Sequence, residues 1–137
     1  MLMKSMLVAA VAVFAIGGTA IAQLEKAPVS PSPIKRNIVG KLEVPNSNYD
    51  VITAIVEIAP GFKAGRHFHP GLVQSEVLDG QFWLAMDGQP EKVYNVGEKF
   101  DFPMKAIHNE GEVGDKWAKL IVTYVVERGQ PLVQPVK

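Results

Sequence analysis

Short apolar runs separated by Gly- and Pro-containing turns make up most of the chain after residue 36. In the run VITAIVEI, residues 51–58, one set of alternate positions is entirely apolar and the other includes Thr and Glu. This alternation is typical of a β-strand with one face more buried than the other. The enrichment in Val, Ile, Thr and aromatic residues agrees with strands. No run after the N-terminal segment repeats apolar residues at helical spacing, so the sequence predicts an all-β sandwich or barrel.

Three turn signals separate the predicted strands. Gly80 and Gly88 each follow an aspartate, and Gly97 closes the stretch Asn-Val-Gly. Glycine adopts positive φ without steric cost, and tight hairpins require such residues. We therefore expect a left-handed backbone conformation at all three glycines.

Residues 1–22 predict a secretory signal peptide. Lys4 is the only charge in this stretch, and it precedes an apolar run and small residues that place the cleavage before Gln23. The alternative is a membrane anchor, but the apolar run from Met6 to Ile16 is shorter than the roughly 20 residues that a spanning helix needs. The mature chain is thus expected in the periplasm or outside the cell, with no membrane association after cleavage.

The mature chain divides into an arm and one domain. Residues 23–36 begin with QLEKAPVSPSP, in which prolines remove backbone donors and restrict their neighbours, so this stretch predicts an extended Pro-rich arm or linker. Residues 37–137 are enough for one domain with one hydrophobic core. That domain is expected to be the β-barrel.

Charge and cysteine content exclude several functions. Without residues 1–22 the chain carries 13 basic and 14 acidic residues, so no strong field attracts nucleic acid or an anionic membrane. The chain has no cysteine, which excludes disulfides, thiol catalysis and zinc–thiolate sites. Stability must come from the core.

Two of the histidines are placed to share a cation. His67 and His69 are separated by one residue, and side chains at that spacing project from the same face of an extended strand. His108 follows a Pro-containing turn, and a barrel could return it to the same interior. Imidazoles are common ligands of divalent metals. The alternative is a pair of exposed or hydrogen-bonded loop histidines.

The two histidine regions resemble a known family. GFKAGRHFHPGLVQSEVLDG, residues 61–80, is similar to the first motif of the cupins, with a glycine, His-X-His and a closing glycine at matching spacing. GEKFDFPMKAIH, residues 97–108, is similar to the second. The resemblance implies a single small jelly-roll barrel, with a metal bound inside by His67, His69 and His108, and often a homodimer.

This chain departs from the cupin pattern at the position of a metal ligand. The glutamate that the first motif normally carries falls on Val73. Glu76 and Gln74 are nearby, but strand parity places both on the opposite face from Val73, and water is a further replacement. In the second motif Lys105 stands where a glycine is usual, and Glu112 where an asparagine is usual. We therefore expect three histidines without an acidic companion.

The metal chemistry that follows is that of neutral imidazoles with open positions. Such a set suits divalent iron, copper, nickel or zinc, and losing the carboxylate should weaken binding of a hard ion such as manganese. Because some cupins have three-histidine iron centres, the resemblance implies iron and a dioxygenase-like reaction on a small molecule.

Three other functions stay open at this point. A metal-dependent isomerase would need a proton-transferring base, for which Glu76 is the one weak candidate near the first motif. A non-catalytic periplasmic sensor or carrier would use the barrel for a small ligand or a metal, because one fold supports many activities. A barrel that has lost its metal would serve as an interaction domain.

Overall fold

The computed structural model describes residues 32–137. These residues form ten β-strands and no helix, so this part of the chain contains no helix that could cross a membrane. The signal peptide predicted at residues 1–22 lies outside the described residues. Most of the arm predicted at residues 23–36 does so too.

The strands follow one another along the chain with short connections. In chain order they are β1 (Ile34–Glu43), β2 (Tyr49–Ile58), β3 (His67–Phe68), β4 (Gly71–Asp79), β5 (Phe82–Met86), β6 (Lys92–Tyr94), β7 (Lys99–Phe102), β8 (His108–Glu112), β9 (Ala118–Glu127) and β10 (Gln134–Pro135).

The strands build two five-stranded antiparallel sheets. One has the order β1-β2-β9-β4-β7, and the other has the order β10-β3-β8-β5-β6. Neighbours within each sheet are often distant in sequence, as expected of a jelly roll. Apolar side chains of both sheets meet in one core, whose larger members are Val56, Ile58, Val73, Val77, Phe82, Leu84, Phe100, Phe102, Leu120, Val122 and Tyr124. The predicted all-β fold is confirmed.

Alternation along the longer strands explains how this core forms. On β2, Ala54, Val56 and Ile58 are buried while the residues between them are half-exposed. β9 alternates in the same way along all ten of its residues. Since successive side chains point to opposite faces, the inner set packs in the core and the outer set covers the sheet surface.

The chain enters the first sheet earlier than the sequence indicated. β1 begins at Ile34, which pairs with Ile58, and Arg36 pairs with Val56. The last three residues of the predicted arm therefore belong to a strand, because the antiparallel ladder with β2 continues to the end of that strand. The remaining boundaries between signal peptide, arm and domain stay predictions.

Turn geometry agrees with the glycine signals. The φ angles are 72° at Gly80, 78° at Gly88 and 85° at Gly97. Lys105 has a φ of 54° although it is not a glycine. It occupies the position at which the cupin motif carries glycine, and the turn that contains it leads directly into β8. Its Nζ forms an ion pair with Glu127 at 2.7 Å.

Candidate metal centre

Three buried histidines meet on the inner face of the second sheet. His67 on β3 lies directly opposite His108 on β8, with ring centroids 4.3 Å apart. His69 follows β3, and its ring lies 5.2 Å from that of His67 and 5.0 Å from that of His108. Parity explains why His67 and His69 lie on the same side, since one residue separates them. The pairing of β3 with β8 brings the ring of His108 next to them.

Backbone carbonyls fix the orientation of all three rings. Each Nδ1 lies within hydrogen-bonding distance of a carbonyl oxygen, which can only accept, so each ring carries its proton on Nδ1. The acceptors for His67, His69 and His108 are the carbonyls of Gly65, Leu132 and Ala106, at 2.7, 2.7 and 2.9 Å. Each Nε2 is therefore left with a lone pair. This is the arrangement in which protein histidines bind metals.

The free ring nitrogens form a group of the size of a metal site. The potential ligand atoms of the three histidines all lie within 4.8 Å of one another. The Nε2 of His108 is buried and has no hydrogen-bond partner among the described residues. Such a nitrogen is costly to bury unless something binds it. The residues present therefore fit a metal ion.

Burial keeps His67 and His69 in the neutral form that binds metal. Burial lowers the pKa of His67, although the nearby Glu110 carboxylate opposes this effect. Burial also lowers the pKa of His69 to about 4. Both rings are consequently unprotonated at neutral pH, with their lone pairs available.

A carboxylate lies beside two of the three histidines, which corrects the expectation from the sequence. Glu110 on β8 places Oε1 3.6 Å from the Nε2 of His67 and Oε2 3.5 Å from the Nε2 of His108. These distances are close to the roughly 3.4 Å that separates two ligands on a tetrahedral ion. The expectation of a centre without an acidic residue was therefore wrong.

The parity rule would have found this glutamate. Glu110 follows His108 by two residues, so both project from the same face of β8. The cupin motif carries its carboxylate after the His-X-His pair, and the expectation was confined to the residues that follow His69. Glu110 thus brings a carboxylate close to His67 and His108 from another strand.

The residues considered as replacements for the missing cupin glutamate do not lie at the histidines. Val73 is in the hydrophobic core and is 2% exposed. Gln74 is exposed, and Glu76 faces outward, where its Oε2 lies 3.6 Å from the Nζ of Lys99. As parity predicted, neither shares the face of Val73. Glu76 is not brought to the histidines.

Glu112 has a structural contact instead. Its Oε2 accepts a hydrogen bond of 2.8 Å from the backbone N–H of Gly61. This bond ties the loop before β3 to β8, which also carries His108. Asn109 does the same through a bond of 2.9 Å from the N–H of Gly65.

The centre is closed on one side and open on the other. The ring of Phe102 stacks on His108 at 4.0 Å, and Tyr124 packs edge-on against His69 at 5.3 Å. The space remaining on this inner side is about 10 Å³, which is near the minimum for one water molecule. An open pocket of about 250 Å³ lies on the other side, next to His67 and Glu110.

No protein-family model and no curated protein sequence matches the chain. Solved structures do match it. A cupin-like protein from Thermotoga maritima is 18% identical, with a TM-score of 0.59 and 75% of each chain covered. A protein with a double-stranded β-helix domain from Klebsiella pneumoniae is 17% identical, with a TM-score of 0.59, over 79% of this chain and 89% of that chain.

An oxalate oxidase is also similar in structure. It is 26% identical over 63% of this chain, with a TM-score of 0.55. The match covers 46% of the oxalate oxidase chain, so this chain spans less than half of it. These likenesses establish the double-stranded β-helix fold.

Proposed function

We propose that this protein, whose fold is that of the cupins, binds one divalent metal ion through His67, His69 and His108, with Glu110 completing the donor set. The observation that carries the proposal is the buried Nε2 of His108, which has no hydrogen-bond partner among the described residues and points into the group. The reaction proposed is a dioxygenase-like oxidation of a small molecule. The matching oxalate oxidase fits a small-molecule substrate and an oxidation.

Iron is the metal proposed first. Three imidazoles and one carboxylate suit Fe(II), and copper, nickel and zinc remain candidates on the imidazoles alone. Glu110 removes the reason for placing manganese below them, because a carboxylate oxygen is a hard, charged ligand that manganese prefers. A bound iron would supply Lewis acidity and electrons for O₂.

The chain's own residues prepare the site for this chemistry. The carbonyl acceptors hold each histidine in one orientation, so little reorganisation is needed when a ligand arrives. Phe102 and Tyr124 exclude water from the inner side. Glu110 borders the open pocket, where its carboxylate can accept a proton from a substrate.

The position of Glu110 also supports a second reaction class. A metal-dependent isomerase needs a base beside the metal, and the sequence offered only Glu76 for that role. Glu110 lies between the ring nitrogens of His67 and His108 and faces a pocket, as such a base must. A sensor or carrier would use the same metal and pocket without turnover.

The proposed location of the protein is the periplasm or the outside of the cell. It rests on the signal peptide predicted at residues 1–22, which lies outside the described residues. The absence of cysteine is compatible with this location, since the fold then needs no disulfide.

Two copies are proposed to pair through the outer face of the first sheet. Leu42, Val51, Val125 and Leu72 lie next to one another in a row across β1, β2, β9 and β4. Leu42 is 71% exposed and Leu72 is 44% exposed. A continuous apolar row on a sheet surface favours burial against a partner.

Oxygen consumption tests the enzymatic part of the proposal. Mature protein loaded with Fe(II) is mixed with diketones, thiols, phenols or organic acids, and O₂ uptake is followed. The proposal expects metal-dependent uptake that Glu110→Gln reduces and that Glu76→Gln, an outward-facing carboxylate, leaves unchanged. Metal-dependent exchange of carbon-bound hydrogen for deuterium without O₂ uptake would instead support the isomerase. If the protein holds metal but shows neither O₂ uptake nor hydrogen exchange, the result would support the non-catalytic sensor or carrier.

A further inference from the structure

Arg36 is the unpaired arginine next to the candidate metal centre. The chain has three arginines, and the other two form ion pairs, Arg66 with Asp87 and Arg128 with Asp50. Within residues 32–137, no carboxylate lies within 4.0 Å of the Arg36 guanidinium. The difference calls for an explanation, because a half-buried guanidinium loses hydration without gaining a carboxylate partner.

A hydrogen bond holds Arg36 in place. Its Nε donates to the Tyr124 hydroxyl at 3.2 Å, and Tyr124 is itself 2% exposed and packs against His69. Tyr124 therefore links the arginine on β1 to the histidine group. The two remaining nitrogens of the guanidinium have no hydrogen-bond partner among the described residues. They retain the pair of parallel N–H groups that binds a carboxylate in two places.

The guanidinium lies in the wall of the open pocket. This pocket of about 250 Å³ has His67 and Glu110 on one side and Arg36 on another. The rest of its wall is mainly apolar, with Ile34, Phe62 and Val133. The pocket is open to solvent and has room for a molecule of a few carbon atoms.

Charge makes an anion the complementary ligand. With a divalent ion bound and Glu110 ionised, the centre and Arg36 together carry a net positive charge. Without the ion, Glu110 and Arg36 offset each other. An anion should therefore bind well only when the metal is present, with one end at the guanidinium and the other towards the metal.

We infer that Arg36 binds the carboxylate of a small organic acid in this pocket, so that the substrate class of the proposed enzyme is a carboxylic acid of a few carbon atoms. The inference rests on the proposed function, whose metal centre lies beside the pocket. Arg36 sets specificity, and Tyr124 acts as a positioning residue that holds its side chain.

Calorimetric titration with lactate, and with lactamide as its neutral equivalent, tests this inference. Metal-loaded wild type should bind lactate more tightly than lactamide. Arg36→Gln should weaken lactate binding by about tenfold or more, the scale of a lost charged hydrogen bond, and leave lactamide binding unchanged. Arg36→Lys keeps the charge without the paired donors and should give an intermediate loss. Tyr124→Phe should weaken lactate binding while Arg36 remains.

Lys35→Gln is the matched control. Lys35 is the neighbouring cation on β1, but it faces the other side of the sheet, where its Nζ lies 4.6 Å from the ring centre of Trp117. The control variant should bind lactate like wild type. Elemental analysis of each variant separates the two hypotheses. Wild type that holds no metal would overturn the proposed function. The role of Arg36 would be overturned if metal-loaded wild type binds lactate no more tightly than lactamide, or no more tightly than metal-loaded Arg36→Gln binds lactate.

Discussion

The carboxylate of Glu110 lies 3.5 Å from the Nε2 of His108, the residue two positions before it on β8. Both side chains project from one face of a strand, and the sheet brings His67 opposite them. A short stretch of β8 thus supplies a neutral and an anionic donor to the same group. In the cupin motif the acidic donor comes from the position of Val73 on β4.

Replacing Glu110 should change which metal the site prefers. Glu110→Gln keeps the shape but removes the charge, so we expect affinity for Mn(II) and Fe(II) to fall by at least about tenfold. Affinity for Cu(II) should fall less, because imidazole suits it. Competition with a metal-sensitive dye gives the dissociation constant for each metal, and Glu76→Gln is the control. Unchanged affinity for every metal would contradict a ligand role, and equal losses for all metals would contradict the predicted change in preference.

Acid should destabilise the metal-free protein through His69. Burial lowers the pKa of its ring from the ordinary 6.5 of a histidine to about 4 in the folded state, so between these values the unfolded chain binds a proton that the folded chain does not. Stability must therefore rise with pH through this window, by about 3 kcal/mol from this group. The contribution is fully present above pH 6.5 and lost towards pH 4.

Denaturant titrations in chelator measure this effect. Wild type and His69→Gln are compared between about pH 4 and pH 7, and the carboxylates common to both cancel in the difference. His67, whose pKa burial also lowers, remains in both proteins. The burial of a neutral His69 would be contradicted if the free energy of unfolding of wild type, relative to that of His69→Gln, does not change with pH or increases towards acid.

Much of this fold follows from local rules. Alternation predicted β2, and the turn signals predicted the positive φ of Gly80, Gly88 and Gly97. Parity placed His67 and His69 on one side. These features depend on a few neighbouring residues, so the sequence contains them directly.

The remaining features depend on which strands meet. Nothing in the residues around His67 determines that β8 pairs with β3, and the resemblance to cupins supplied that expectation. Arg36 was assigned to the arm, and its place in the pocket wall arises because β1 extends along β2 to Ile58. Glu110 could have been found by parity from His108, but the motif drew attention to the wrong strand.

Lys105 should be a strained position. A non-glycine residue with a φ of 54° costs about 1 kcal/mol or more relative to glycine. Its ion pair with Glu127 is half-exposed and is worth at most about 1 kcal/mol. Lys105→Gly should therefore be about 1 kcal/mol more stable than Lys105→Ala, which also lacks the ion pair but keeps the strain. Chemical denaturation compares them, and a less stable glycine variant would refute the strain.

The apolar row on the first sheet should mediate self-association. Light scattering after size exclusion is expected to show a dimer of wild type and a monomer of the Leu42→Lys, Leu72→Lys double variant. Val96→Lys changes another exposed apolar residue, 61% accessible, that is not part of the row. This single variant should stay dimeric. A monomeric wild type, or a double variant that still pairs, would rule out this interface.

Metal content is the most direct test of the central claim. Mature protein purified without chelator is analysed for bound elements beside His67→Ala, His108→Ala and Glu76→Gln, with circular dichroism to confirm folding. The account predicts about one divalent ion per chain in wild type and in Glu76→Gln, and loss of the ion in both folded histidine variants. Background metal in wild type after incubation with Fe(II), Mn(II) or Zn(II), or full occupancy without His67 or His108, would contradict it.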